Sequence, residues 1–115
     1  RLLAMFCAEN NFYIEEIGLP AAEQAVSLSS TDPANLDALG YTYFLSGRYS
    51  NAELTFLRAI ELSPQYFPAH LHLAMNYLAQ GNRVEAYNTL VFVRDADVSG
   101  VYRELAQNLL NQYFP

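Results

Sequence analysis

The amino-acid sequence predicts an all-α fold of about six to seven helices in repeating antiparallel pairs. Three observations predict it. The chain matches itself at an offset of 34 residues: Leu39 with Leu73, Tyr43 with Tyr77, Gly47 with Gly81 and Ala52 with Ala86. Phe56 with Leu90 and Ala59 with Val93 are near matches, and one step earlier Ala25 meets Ala59 and Leu28 meets Leu62. Agreement at one such offset marks stacked copies of a single supersecondary unit. Apolar residues also recur at helical spacing within each copy. Leu36, Leu39, Gly40 and Tyr43 share one face, as do Ala52, Phe56, Ala59 and Ile60. Finally, glycines and capping residues punctuate the chain where helices should end and begin.

The elements follow in order. A first helix is expected near residues 1–9. Residues 10–19 stay open between a turn at Asn10-Asn11 and a further helical turn from Phe12 to Ile17. Leu19-Pro20 starts a helix over 20–29, with proline in the first turn, although leucine is a poor cap. Asp32-Pro33 supplies a cap and then a proline for a helix over 34–46. Gly40 costs that helix about 1 kcal/mol of propensity, and close approach of a second helix is the expected compensation. Gly47 ends it, because glycine adopts the left-handed conformation cheaply. Ser50-Asn51-Ala52-Glu53 places a capping residue three before a glutamate and predicts a helix over 50–62. A helix over 67–80 ends at Gly81. Asn82-Arg83-Val84-Glu85 repeats the capping signature for 84–94, and a last helix covers 99–112. No strand pattern and no low-complexity linker is present.

Composition narrows the function. The chain has 115 residues, the size of one domain, with 52% apolar and 16% charged residues. That balance argues against disorder. Twelve acids against six bases give a net charge of −6, and all six bases are arginine. An acidic chain lacks the basic excess that a nucleic-acid binder uses to neutralise phosphates. Without lysine, Schiff-base chemistry and a phosphate-loop lysine are excluded. Cys7 is the one cysteine. It can form no internal disulfide and no cysteine-based zinc site, and it fits a reducing, cytoplasmic setting. The longest apolar runs, such as Ala4–Ala8, fall far short of the roughly 20 residues that span a bilayer. No secretory signal is visible. The chain opens on Arg1 and reads as a segment of a longer protein.

At this point a family can be named. Residues 32–64 resemble a tetratricopeptide repeat (TPR) through Leu36, Leu39-Gly40, Tyr43, Gly47, Tyr49, Ala52, Phe56, Ala59, Leu62 and Pro64. Leu36 stands where a tryptophan is often found. A second copy runs through Leu73-Ala74, Tyr77, Gly81, Ala86, Leu90 and Val93, without the closing proline. A third, partial copy fits Tyr102, Leu105-Ala106 and Leu109 once the preceding loop is shortened by two residues. The implied organisation is one domain: a degenerate repeat over about 1–31, the best repeat over 32–66, a second over 67–98 and a capping helix over 99–115. The resemblance implies a right-handed superhelix whose concave groove, lined by the first helix of each pair, holds a peptide or a partner's helix. The groove residues carried over are Asp37, Tyr41, Phe44 and Leu45; then Leu71, Met75, Leu78 and Ala79; and Arg103, Gln107, Leu110 and Asn111 in the shifted register. This is an apolar, aromatic surface with one acid and one base, suited to an apolar peptide or amphipathic helix. Where carboxylate-gripping TPR domains place basic donors, this chain has Asp37, Tyr41, Leu71 and Met75, so a carboxylate clamp is not expected.

Catalytic readings fare poorly. His70 and His72 are two apart and diverge on a helix, whereas a metal pair prefers a spacing of four. Asp95 and Asp97 fit turn and cap chemistry. There is no phosphate-binding glycine loop and no nucleophile elbow. The expectation is a non-enzymatic interaction scaffold without cofactor or metal, bound to a protein or peptide, with no nucleic acid and no membrane insertion. The alternative is a structural segment that forms a homodimer through its terminal helices or docks on another domain of its own protein.

Overall fold

The computed structural model describes residues 32–98 and 100–115. The helices expected near 1–9 and 20–29, and the open segment 10–19, lie outside the described residues. Five helices are described: α1 (Pro33–Leu45), α2 (Tyr49–Leu62), α3 (Phe67–Ala79), α4 (Arg83–Ala96) and α5 (Val101–Tyr113). There is no strand among the described residues. Each helix packs on the next, and α1 touches α3 while α3 touches α5. This is the contact pattern of a helical repeat, in which every unit covers its neighbour's apolar face.

The helix ends follow from local chemistry. Asp32 caps α1, its Oδ1 accepting from the Ala34 N–H at 2.9 Å, with Pro33 in the first turn. Gly47 has φ +80° and Gly81 φ +78°. Around them the same two bonds recur one repeat apart. The Arg48 N–H reaches the Tyr43 carbonyl at 2.9 Å and the Gly47 N–H the Phe44 carbonyl at 3.1 Å. Asn82 to Tyr77 (2.8 Å) and Gly81 to Leu78 (3.1 Å) repeat them. Both helices therefore close in a Schellman motif, which requires a left-handed residue at the glycine.

The start of α2 differs from expectation. Its cap is Arg48, whose side chain makes no capping hydrogen bond, and Ser50 lies inside the first turn. The Schellman turn already delivers the Arg48 carbonyl to the Ala52 N–H at 3.0 Å, so the helix starts before Ser50 can cap it. Asn82 does cap α4, its Oδ1 accepting from the Glu85 N–H at 3.4 Å. Asp97 caps α5 from a distance, its Oδ2 accepting from the N–H groups of Tyr102 and Arg103 at 3.0 and 3.2 Å.

The core repeats as the sequence does. Ala52, Phe56 and Ala59 of α2 are fully buried, and so are their counterparts Ala86, Leu90 and Val93 of α4. Burying a side chain such as Phe56 or Leu90 contributes about 1.5–3 kcal/mol. One cluster joins Phe56, Leu73, Tyr77 and Ala86; another joins Leu71, Ala74, Leu90, Val93, Ala106 and Leu110. Phe114 packs against both and closes the end of α5. The Arg83 guanidinium sits 4.5 Å over its ring while Nη2 donates to the Tyr113 carbonyl at 2.7 Å.

Candidate functional site

α1, α3 and α5 are the first helices of their pairs, and their outward positions were expected to line the site. The structure gathers Phe44, Met75, Leu78 and Ala79 around one apolar hollow of about 330 Å³. Leu109 and Tyr113 of α5 complete it. Neither of these two is among the groove residues that the sequence leads one to expect. They lie four apart, one helical turn, on the α5 face that meets α3, and the shifted register placed Leu110 and Asn111 there instead. Leu110 is buried in the core, and Asn111 accepts from Gln107 Nε2 at 2.9 Å.

The remaining expected positions are placed elsewhere. Tyr41 is half-buried and stacks on His72 with ring centroids 4.7 Å apart; it also stacks on Phe44 at 6.1 Å. Leu45 is half-buried at the end of α1. Leu71 lies in the core against Leu90, Val93 and Ala106, so it supports the surface from beneath. Asp37 is also buried, and its Oδ1 accepts from His72 Nδ1–H at 2.8 Å, tying α1 to α3. Arg103 and Gln107 line a separate polar hollow with Gly100, Glu104 and Asn108. Arg103 Nη1 donates to the Arg94 carbonyl at 2.8 Å, so its charge serves the end of α4. No arginine lines the apolar hollow.

Between α2, α3 and α4 lies another hollow of about 300 Å³, lined in part by Leu57, His70, Tyr77, Glu85 and Phe92. His70 Nε2–H donates to the Pro64 carbonyl at 2.8 Å. In the neutral ring this leaves Nδ1 as an acceptor. Burial pushes the His70 pKa below the usual imidazole value, and the bond to Pro64 opposes that. Burial raises the Tyr77 pKa, and the carboxylates of Glu53 and Glu85 add to the rise. His70 and His72 have separate partners, and no group of three His, Cys, Asp or Glu among the described residues could hold a metal ion. No helix among the described residues is long and apolar enough to cross a membrane.

Paired helices with the same closing turn and the same core positions one repeat apart define a TPR-like helical repeat. A stretch of 53 residues is 45% identical to part of Tetratricopeptide repeat protein 21A of Mus musculus. The match covers 44% of this chain and 4% of that protein. No family model matches the chain.

Proposed function

We propose that the chain is a non-catalytic protein-interaction module that receives an apolar segment, a peptide or one face of an amphipathic helix, in the hollow formed by α1, α3 and α5. The observation that carries this reading is the convergence of Phe44, Met75, Leu78, Leu109 and Tyr113 from three successive first helices on one apolar surface. Aromatic rings and a flexible thioether adapt to apolar side chains of differing shape. The lack of arginine there favours a ligand read by its side chains over one read by its terminal carboxylate. In this reading the described helices belong to a right-handed superhelix of six to seven helices, with residues 1–31 as a degenerate first repeat.

The test uses a peptide selected on the whole chain from a random library. The paired substitutions Met75→Ala and Tyr113→Ala, both in the lining of the hollow, should abolish its binding while helicity is retained. Leu57→Ala, on the hollow beside His70, should leave binding intact. Binding that survives the first pair and fails with the second change removes the α1–α3–α5 surface as the site.

A further inference from the structure

The hollow between α2, α3 and α4 differs in chemistry from the α1–α3–α5 surface. Leu57, Ile60 and Leu73 give it an apolar side, and His70, Tyr77 and Glu85 a polar one. Two of the polar side chains are held in place but left incomplete. His70 and Tyr77 are each only 8% exposed. His70 spends Nε2–H on the Pro64 carbonyl, and burial holds its pKa below the usual imidazole value, so the ring is neutral at pH 7. Its Nδ1 lone pair therefore meets no donor among the described residues. The Tyr77 hydroxyl has no hydrogen bond among them either. Acceptors this deeply placed are normally satisfied, by water or by a ligand where the protein offers no donor. Floor and walls come from the two complete repeats, and a stacked unit contacts only its neighbours, so the hollow lies within the array and not at its end.

The charge around the hollow is of one sign. Glu85 lines it, and Glu53 lies close enough to Tyr77 to act on the phenol together with Glu85. Neither carboxylate forms an ion pair among the described residues, where the pairs are His72 with Asp37 and Arg94 with Asp95. No arginine lines the hollow. Phe92 is 41% exposed with its ring beside that of His70, the centroids 4.8 Å apart, so aromatic surface is left free for a second planar group. We infer that this hollow receives the arginine side chain of a partner protein. Glu85 supplies the counter-charge, while His70 Nδ1 and the Tyr77 hydroxyl accept from further N–H groups. A guanidinium carries five donors in one plane and stacks on aromatic rings, whereas an ammonium offers three donors on a compact, strongly hydrated head. The alkyl stem of the arginine lies along Leu57, Ile60 and Leu73, as long cationic side chains cover apolar surface. A volume of about 300 Å³ sits at the low end of ligand pockets and suits one such side chain.

The probe is a short peptide, blocked at both ends, with one arginine between flanking glycines. Titrated into the whole 115-residue chain, it should shift the resonances of Leu57, His70 and Phe92 saturably. The same peptide with citrulline keeps the shape and loses the charge, and should bind about tenfold more weakly, the worth of a charge-assisted pair. The lysine peptide should also bind more weakly than the arginine one. Glu85→Gln should weaken the arginine peptide by about tenfold, while the backbone bond from residue 85 to Asn82 keeps the start of α4 intact. Glu104→Gln removes the same charge from an exposed position on α5 and should leave the affinity unchanged. Met75→Ala alters the α1–α3–α5 hollow and should leave it unchanged too, so this inference and the proposed function fail separately. Absence of saturable binding, equal affinity for the citrulline or lysine peptide, or equal losses with Glu85→Gln and Glu104→Gln would overturn it. A dimer seen by sedimentation and dissociated by the arginine peptide would assign the hollow to a second copy and overturn it equally.

Discussion

Gly40 offers the sharpest test of how the pairs are packed. A Cβ added there would lie 2.6 Å from Cε1, 2.7 Å from Cδ1 and 3.0 Å from Cζ of Phe56. Ordinary carbon contacts are about 3.5–4.0 Å, so Gly40→Ala asks the ring or the helix to yield by roughly 1 Å. The Phe56 ring is fully buried and packed with Leu73, Tyr77 and Ala86, so it cannot swing to solvent. Overpacking of this kind costs about 1–3 kcal/mol. Replacing a mid-helix glycine by alanine returns about 1 kcal/mol of propensity. With three ring atoms in conflict, the net expected loss is about 1–2 kcal/mol. The next repeat shows the compensating pair, Ala74 with Leu90, both fully buried. Phe56→Leu alone should leave a void and cost about 1–2 kcal/mol. The double variant Gly40→Ala with Phe56→Leu should therefore cost at least about 1 kcal/mol less than the sum of the singles. Urea unfolding followed by circular dichroism measures all four proteins, with an unchanged m-value as the check on two-state behaviour. A Gly40→Ala protein more stable than wild type, or strict additivity, would refute the close-approach reasoning.

Four further outcomes follow from the same geometry. An alanine Cβ at Gly81 would meet nothing within 4 Å, so Gly81→Ala should cost about 1–2 kcal/mol through the left-handed backbone alone. Gly81→Asn should cost visibly less in the same melts, and equal losses would contradict the backbone origin. The folded His70 pKa lies below its unfolded value, so the unfolded chain takes up the proton first as pH falls. Stability should be full above about pH 6.5 and decline below it, and His70→Gln should flatten that decline in pH-resolved urea titrations. His72→Ala removes a donor to the buried Asp37 carboxylate and should cost about 1–3 kcal/mol; a double-mutant cycle with Asp37→Ala should show coupling, and additivity would deny the pair. Peptides captured by the chain should bind equally well with a free or an amidated C-terminus by calorimetry, since no arginine lines the apolar hollow.

The fold was legible because each repeat states its boundaries in local chemistry. Gly47 and Gly81, Asp32-Pro33 and Asn82 act through hydrogen bonds within a few residues, and those are readable from spacing alone. Ser50 misled because a capping pattern competes with the turn before it, and the Schellman closure at Gly47 reaches the helix start first. The surface was only partly legible. Register put Phe44, Met75 and Leu78 on the first helices, and the structure brings them together. Register does not encode how deeply first helices nest. Leu71 is buried because α5 packs over it, and Asp37 because His72 reaches it from α3. Arg103 is expected as the one base of the groove, yet the end of α4 offers it a carbonyl. The hollow beside His70 involves three helices and has no periodic signature along any one of them.

Binding at the α1–α3–α5 hollow can be read from a single side chain. The chain contains two methionines, Met5 and Met75, and Met75 lines that hollow. Labelling the methionine methyl groups with carbon-13 therefore places one reporter in the site and leaves a second as an internal reference. On titration with a library-selected peptide, the Met75 resonance should shift and saturate together with the binding isotherm. Saturable binding with the Met75 resonance unmoved would contradict the proposed site.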